Sequence, residues 1–243
     1  MVNRKSHCRL IFMRLWKMRI SMGIILLAVF FYGSSVLAAD KSIEILRQVQ
    51  ERYTAKSSYT TRFVQTTRTG QTDAGTQFEG EMTLQPPNRL RLEVTSPDTQ
   101  LVFSDGTTLW FYLPSLGQAM VIESGVDTEV ERIARLVFHA VEEFRILESG
   151  EEEVGGVQCV WLELRPIQEG NQVAGLRIWV TPTHMLQKLS MEDAMGQHFE
   201  FQFLQWQVGP IRSDSFYTFV PPQGIEVIPI PGSTPTKSPP SGE

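Results

Sequence analysis

Apolar residues recur along this chain at two different spacings, and the switches between them mark its elements. Over residues 42–55, Ile45, Leu46, Val49 and Tyr53 fall at helical intervals behind Ser42, a residue suited to capping. This predicts a first helix with one apolar stripe. From Tyr59 the period drops to two. YTTRFVQT alternates, FEGEMTL sets Phe78, Gly80, Met82 and Leu84 on one side, and RLRLEV alternates Leu90, Leu92 and Val94 with Arg89, Arg91 and Glu93. Pro86-Pro87-Asn88 reads as the turn between the last two strands.

Asp105-Gly106 sits between apolar runs and predicts a hairpin with a two-residue type I′ turn, which needs positive φ at both central positions. The expected pairs are Phe103 with Thr108, Val102 with Leu109, and Leu101 with Trp110. Leu101, Phe103, Trp110 and Tyr112 then share one face, and Val102, Leu109 and Phe111 the other. An antiparallel sheet commonly shows water one polar face. This hairpin is apolar on both, so something must cover each.

After a short QAMVI strand, VDTEVERIARLVFHAVEEF returns to helical spacing. It predicts a second helix from Val126 to Phe144 with Val130, Ile133, Ala134, Val137, Val141 and Phe144 on one face. Strands resume in VQCVWLEL, LRIWV, MLQKLSMED and HFEFQFLQW, with turn signals at Gly155-Gly156, Gly170-Asn171 and Met195-Gly196. HFEFQFLQW puts Phe199, Phe201 and Phe203 on one face. About ten strands with two helical interruptions predict a mainly β (α+β) fold. The expected form is a single strongly curved antiparallel sheet, an unclosed β-barrel with the helices as a lid over an apolar hollow.

Charge refines the domain plan. Arg4, Lys5, Arg9, Arg14, Lys17 and Arg19 precede an apolar run from Ile20 to Tyr32, and no acid occurs before Asp40. Residues 1–38 therefore read as a signal peptide cleaved after Ala38, a retained anchor being the alternative. Residues 39–228 form the domain. The stretch 229–243, PIPGSTPTKSPPSGE, is too rich in proline, glycine and serine to bury a core and reads as a flexible tail. Cleavage leaves 16 basic residues against 27 acidic ones, a net charge of −11. That excludes the basic footprint nucleic acid requires. Cys159 is then the one remaining cysteine, so no internal disulfide forms and no lipid-modified cysteine follows the cleavage site. The mature chain is expected free in the periplasm as a monomer.

Catalytic constellations are missing from the pattern. His139, His184 and His198 have no metal-ligand spacing, and no nucleophile elbow or phosphate-cradling glycine loop occurs. Glu151, Glu152 and Glu153 read as a solvated turn before Gly155-Gly156, and Asp105 and Asp193 as turn residues. No metal and no cofactor is expected. The residues favour binding over turnover.

Three stretches sharpen this. LVFSDGTTLWFYLPSLGQA, PPNRLRLEV and YTFVPPQGIEV resemble the periplasmic carriers of outer-membrane lipoproteins, the LolA family. Tyr59, Phe63 and Gln65 fit the aromatic-x3-Phe-x-Gln pattern of the same family. The resemblance runs from about Ile43 to Val227, and matches in pattern alone between about Ser124 and Gln197. It implies a non-enzymatic carrier with an apolar cavity for lipoprotein acyl chains. It also implies two partners beyond the acylated lipoproteins: an inner-membrane ATP-driven release complex that loads the carrier, and an outer-membrane receptor that unloads it. Each buried methylene is worth about 0.8 kcal/mol, so exposing a triacyl anchor of some 40–45 methylenes costs on the order of 30 kcal/mol.

Strand faces and family positions together propose Met82, Leu84, Leu90, Leu92 and Val94 as lipid-binding residues from the sheet. Val49, Tyr53, Val130, Ile133 and Val137 are the candidates from the helices. Ordinary core packing is the competing reading for each. Family members carry an arginine before a Pro-Asn step that holds the lid shut. Here that place is Pro86, so Arg89 or Arg91 becomes the candidate latch and a less firmly closed empty form is expected. Two other functions stay open: a lipid- or lipoprotein-sensing regulatory module of the same fold, and a lipid hydrolase, which needs a nucleophile brought to one of the three histidines.

Overall fold

The period-two segments become one twelve-stranded sheet in the computed structural model, which describes residues 41–70, 74–123, 128–168, 173–193 and 195–230. The proposed leader, the tail from residue 231, the Gly170-Asn171 turn, and Val126 and Asp127 of the predicted second helix lie outside the described residues. Helical backbone covers residues 41–54 (α1). A first meander follows: β1 (Ser58–Thr69), β2 (Thr76–Gln85), β3 (Arg89–Ser96), β4 (Gln100–Ser104), β5 (Thr108–Leu113) and β6 (Gln118–Glu123). After α2 (Glu129–Phe138) and α3 (Ala140–Glu143) a second meander runs through β7 (Phe144–Val154), β8 (Val157–Pro166), β9 (Val173–Val180), β10 (Leu186–Asp193) and β11 (Gln197–Gly209). β12 (Glu226–Ile230) ends it.

β1 joins the meanders by pairing with β2 on one side and β11 on the other. The strand order is β12-β6-β5-β4-β3-β2-β1-β11-β10-β9-β8-β7, antiparallel throughout except that β12 runs parallel to β6. The sheet does not close, and β12 and β7 are its edges. Its inner face carries the core. Phe63, Met82, Leu84, Leu90, Leu164, Ile178, Leu189 and Phe203 from the strands are buried in one cluster with Leu46, Val49 and Tyr53 of α1 and Ile133, Leu136 and Val137 of α2.

The central hairpin differs from expectation by two residues. Phe103 faces Trp110, Val102 faces Phe111 and Leu101 faces Tyr112, so the loop holds four residues. Gly106 has positive φ but Asp105 does not. Instead the Asp105 carboxylate accepts the amides of Thr107 (2.8 Å) and Thr108 (2.9 Å) and the Thr107 hydroxyl (2.7 Å). Partial burial pushes that carboxyl up, and these donors outweigh it and leave it below its ordinary range. A shift of two preserves which residues share a face, because side chains alternate with period two. The type I′ arrangement occurs at Gly155-Gly156, where both φ are positive and Val154 pairs with Val157.

What covers the hairpin's second face is the chain after β11. Phe219 sits 5.2 Å from the Phe103 ring, 5.4 Å from Trp110 and 5.0 Å from Tyr112, centroid to centroid. Gln85, wholly buried, pins this strap: its Oε1 accepts from the Arg212 amide (2.8 Å) and the Tyr217 hydroxyl (3.3 Å), and its Nε2 donates to the Arg212 carbonyl (3.3 Å). Burial pushes the Tyr217 phenol up to about 12. The strap then enters β12, so Pro229 and Ile230, assigned by composition to the tail, are rungs of the sheet opposite Val121 and Ile122.

Two further differences concern the helical region. The predicted helix to Phe144 breaks at His139, whose backbone leaves helical geometry at φ −137°, ψ 30°, and Phe144 is the first residue of β7. The acidic run Glu151–Glu153 lies inside β7, an edge strand too polar to announce itself, and Glu152 accepts from the Trp179 indole at 2.8 Å. Charges along an edge also discourage pairing with another chain.

Gly80 is required by close approach. A Cβ there would run into the backbone carbonyl of Glu93 and stand 3.0 Å from the Phe63 ring. Gly80→Ala is expected to lower unfolding stability by about 1–3 kcal/mol, read from the urea midpoint at unchanged slope. Wild-type stability in that variant would show that β2 and β3 can part there freely.

Candidate functional site

The inner face is not filled to its end. A hollow of about 270 Å³ remains, lined by Gln65 and Thr67 late in β1 and by the first residues of β11 and β4, Gln197 and Gln100, among others. Its floor is apolar: Phe78, Leu92, Val94 and Val102, with Phe111, Phe199 and Phe201 beside them. Val130, on the first turn of α2, reaches in from the helical side. The strand residues belong to six neighbouring strands, β5-β4-β3-β2-β1-β11. Flat, six strands would span about 24 Å at the usual spacing, so lining one small hollow requires the sheet to curl.

α2 forms the lid over this curl. Thr128 begins it, its hydroxyl accepting the Glu131 amide at 3.2 Å, and Val130, Ile133, Ala134, Leu136, Val137 and Phe138 are all buried. The lid is held at its far end by hydrogen bonds to two other elements. His139 Nε2 lies 2.8 Å from Asn88 Oδ1, in the turn between β2 and β3. Gln50 of α1 accepts the Val141 amide at 2.8 Å and donates to Glu142 at 3.1 Å, tying α1 to α3. α1 itself is anchored by Tyr53. Its ring meets those of Tyr59 and Trp206 at 5.1 and 5.3 Å, and its hydroxyl accepts the Leu186 amide at 3.2 Å. Burial pushes the Tyr53 phenol far above its ordinary value, so it stays neutral.

All ten proposed lipid-binding residues fall in the one buried cluster. Leu92, Val94 and Val130 line the hollow. Val49, Tyr53, Met82, Leu84, Leu90, Ile133 and Val137 belong to the close-packed core that continues from it. The lining phenylalanines of β11 were visible as a one-faced stripe, but their place beside the hollow follows from the β1–β11 pairing, which brings together residues far apart in sequence. Arg89 and Arg91 are engaged by other groups than α2. Arg89 pairs with Asp214 at 2.8 Å, and Arg91 stands over the rings of Phe103 (5.0 Å) and Phe216 (4.7 Å) beneath the strap. Their side chains alternate with Leu90 and Leu92 and so point outward, away from the lid. The turn that begins at Pro86 is instead reached from the lid's own end by His139. With α2 buried along one side, this contact ties the end of the lid to that turn.

One nucleophile does approach a histidine. Ser190 Oγ lies 2.9 Å from His198 Nε2. Both alternate with the inward Leu189 and Phe199, so they stand on the outer face, and neither lines the hollow. Among the described residues no cluster of His, Cys, Asp and Glu could hold a metal ion. Cys159 is buried, which pushes its thiol up and leaves it poorly reactive.

Comparison with known proteins places these features. Residues 54–220 match the family model described as outer membrane lipoprotein carrier protein LolA. An outer-membrane lipoprotein carrier protein of Proteus mirabilis (strain HI4320) is 28% identical over 203 residues, spanning 82% of this chain and 94% of the relative. Another, of Erwinia tasmaniensis, is 27% identical over 193 residues, spanning 78% and 90%. The crystal structure of an uncharacterized conserved protein from Thermus thermophilus shares the fold, with a TM-score of 0.51 at 14% identity over 78% of this chain and 99% of that one.

The His139–Asn88 contact gives a direct expectation. In lipid-free protein, His139→Ala should speed hydrogen exchange of α2 amides about five- to tenfold, the equivalent of roughly 1 kcal/mol for one lost hydrogen bond. Exchange in β8–β10 should not change. Unaltered α2 exchange would mean the lid rests on its apolar contacts alone.

Proposed function

The chain belongs to the LolA family of outer membrane lipoprotein carrier proteins, and from that membership we propose that it is a periplasmic chaperone, without enzymatic activity, that shelters the acyl chains of lipoproteins in transit. Cargo reaches it from an inner-membrane ATP-driven release complex and leaves to an outer-membrane receptor. The observation that carries the reading is the lidded hollow: an apolar floor built by six strands and capped by one helix that contributes Val130 to the lining.

Its size sets the mechanism. At about 30 Å³ per water, the space of about 270 Å³ holds roughly nine waters, far too few to match three acyl chains. Loading therefore displaces α2. Leaving the sheet, Val130, Ile133 and Val137 give up apolar contacts that the acyl chains replace. Exchange of one apolar partner for another changes the free energy little, so affinity stays moderate although the total area buried is large. A carrier needs this balance, because a partner can shift an equilibrium only by its differential affinity for the two states. The residues proposed as lipid contacts but packed in the core, Ile133 and Val137 among them, serve the loaded form on this account.

The test is co-purification with a tagged lipoprotein followed by mass spectrometry. Triacylated cargo is expected to co-elute in about equimolar amount, to be lost when the acylated cysteine of the cargo is replaced, and to pass on to outer-membrane vesicles. Binding without transfer would identify a sensing module. Equal recovery of non-acylated cargo would sink the proposal.

A further inference from the structure

The wall of the hollow is not wholly apolar. Gln65, Thr67, Gln100 and Gln197 complete its wall, each half-buried. Register sets them on rungs shared with part of the apolar lining: Gln65 lies opposite Phe78 and Phe201, and Gln100 opposite Val94. Thr67 pairs with Phe199 on one side and Thr76 at the start of β2 on the other. Gln197 opens β11 and Gln100 opens β4. Gln65 lies one inward step below Thr67 and donates to its hydroxyl at 3.2 Å. One inward step from Val94 and Gln100, Leu92, Val102 and Phe111 lie side by side. Among the described residues lining the hollow, none carries a formal charge.

We propose that these three glutamines and Thr67 form a neutral collar that recognises the uncharged ester or amide linkage at the head of an acyl chain, and discriminates against chains ending in an anion. This rests on the carrier reading above and adds what the hollow selects. Each glutamine offers two N–H donors and a carbonyl acceptor. An ester or amide can use the donors, and glycerol hydroxyls or a peptide N–H can use the acceptors. A fatty-acid carboxylate drawn to the same depth finds hydrogen bonds but no opposite charge, and desolvating an unpaired charge is far more costly than desolvating an ester. A plain alkane displaces water from the Gln100 and Gln197 amides and returns no hydrogen bond. Sites built to hydrogen-bond a ligand reject analogues lacking the group for that reason.

The experiment displaces an environment-sensitive apolar dye from the full mature chain with three twelve-carbon probes at pH 8: 1-lauroylglycerol, laurate and dodecane. Wild-type protein should bind lauroylglycerol about tenfold tighter than laurate. In Gln65→Leu/Gln100→Leu/Gln197→Leu the ratio should fall below about threefold while dodecane binds as well or better. Gln100→Leu alone, at the start of a short strand, should show a partial loss and serves as the check if the triple variant does not fold. Equal wild-type affinity for lauroylglycerol and laurate, or an undiminished ratio in a folded variant, overturns the collar and leaves the carrier reading standing. Failure of all three probes to displace the dye from wild-type protein overturns both.

Discussion

A curled sheet with an oily inner face can be stable in water only if something covers that face, and in this protein the cover is helical. α1 and α2 do what a second sheet does in a sandwich. Their apolar stripes fill most of the concavity, and the sheet's two edges stay apart, β12 at one and β7 at the other. The cover is therefore separable from what it covers. A closed barrel would have to break its ladder to admit a large ligand, whereas here a helix has only to move off. On the proposed reading, stability and cargo binding draw on the same apolar surface, and a single core residue then serves both.

The two ends of the curl are built differently. At one, Tyr53, Tyr59 and Trp206 form a ring cluster, and their polar tips bond backbone atoms: Trp206 donates to the Leu186 carbonyl at 2.6 Å, and Tyr59 to the Arg52 carbonyl. That end is packed and satisfied. The other end keeps open space and side-chain amides. The outer face is finished separately by the strap from β11 to β12. Phe219 fills its aromatic nest, Gln85 its polar anchor, and Arg91 and Arg212 flank Phe216. The strap braces β2 to β6 from behind, on the side of the sheet away from the lid.

Much of this was legible in the residues. Alternation placed β1, β2, β3 and β11 and told which side chains share a face, and helical spacing found α1 and α2. Face assignments survived even where register did not: the Asp105 hairpin is two residues out, yet Leu101, Phe103, Trp110 and Tyr112 still share a side. Polarity concealed β7, since an edge strand can be hydrophilic and nothing in its pattern separates it from a turn. β12 was hidden by composition, because proline and glycine neighbours read as tail until a partner strand is known.

Local chemistry, then, determined the type of most elements, which side chains share a face, and the family pattern carried by the hairpin and the C-terminal PPQG segment. These depend on residues close together in the chain, where period and turn preference act. Tertiary structure alone decided which apolar residues pack solid and which border the hollow. It also decided that Arg89 and Arg91 serve the strap, and that His139 meets Asn88 across a sequence separation of 51 residues. Such contacts arise when strands pair and curl. Their partners are set by three-dimensional closure, to which no short stretch of sequence has access.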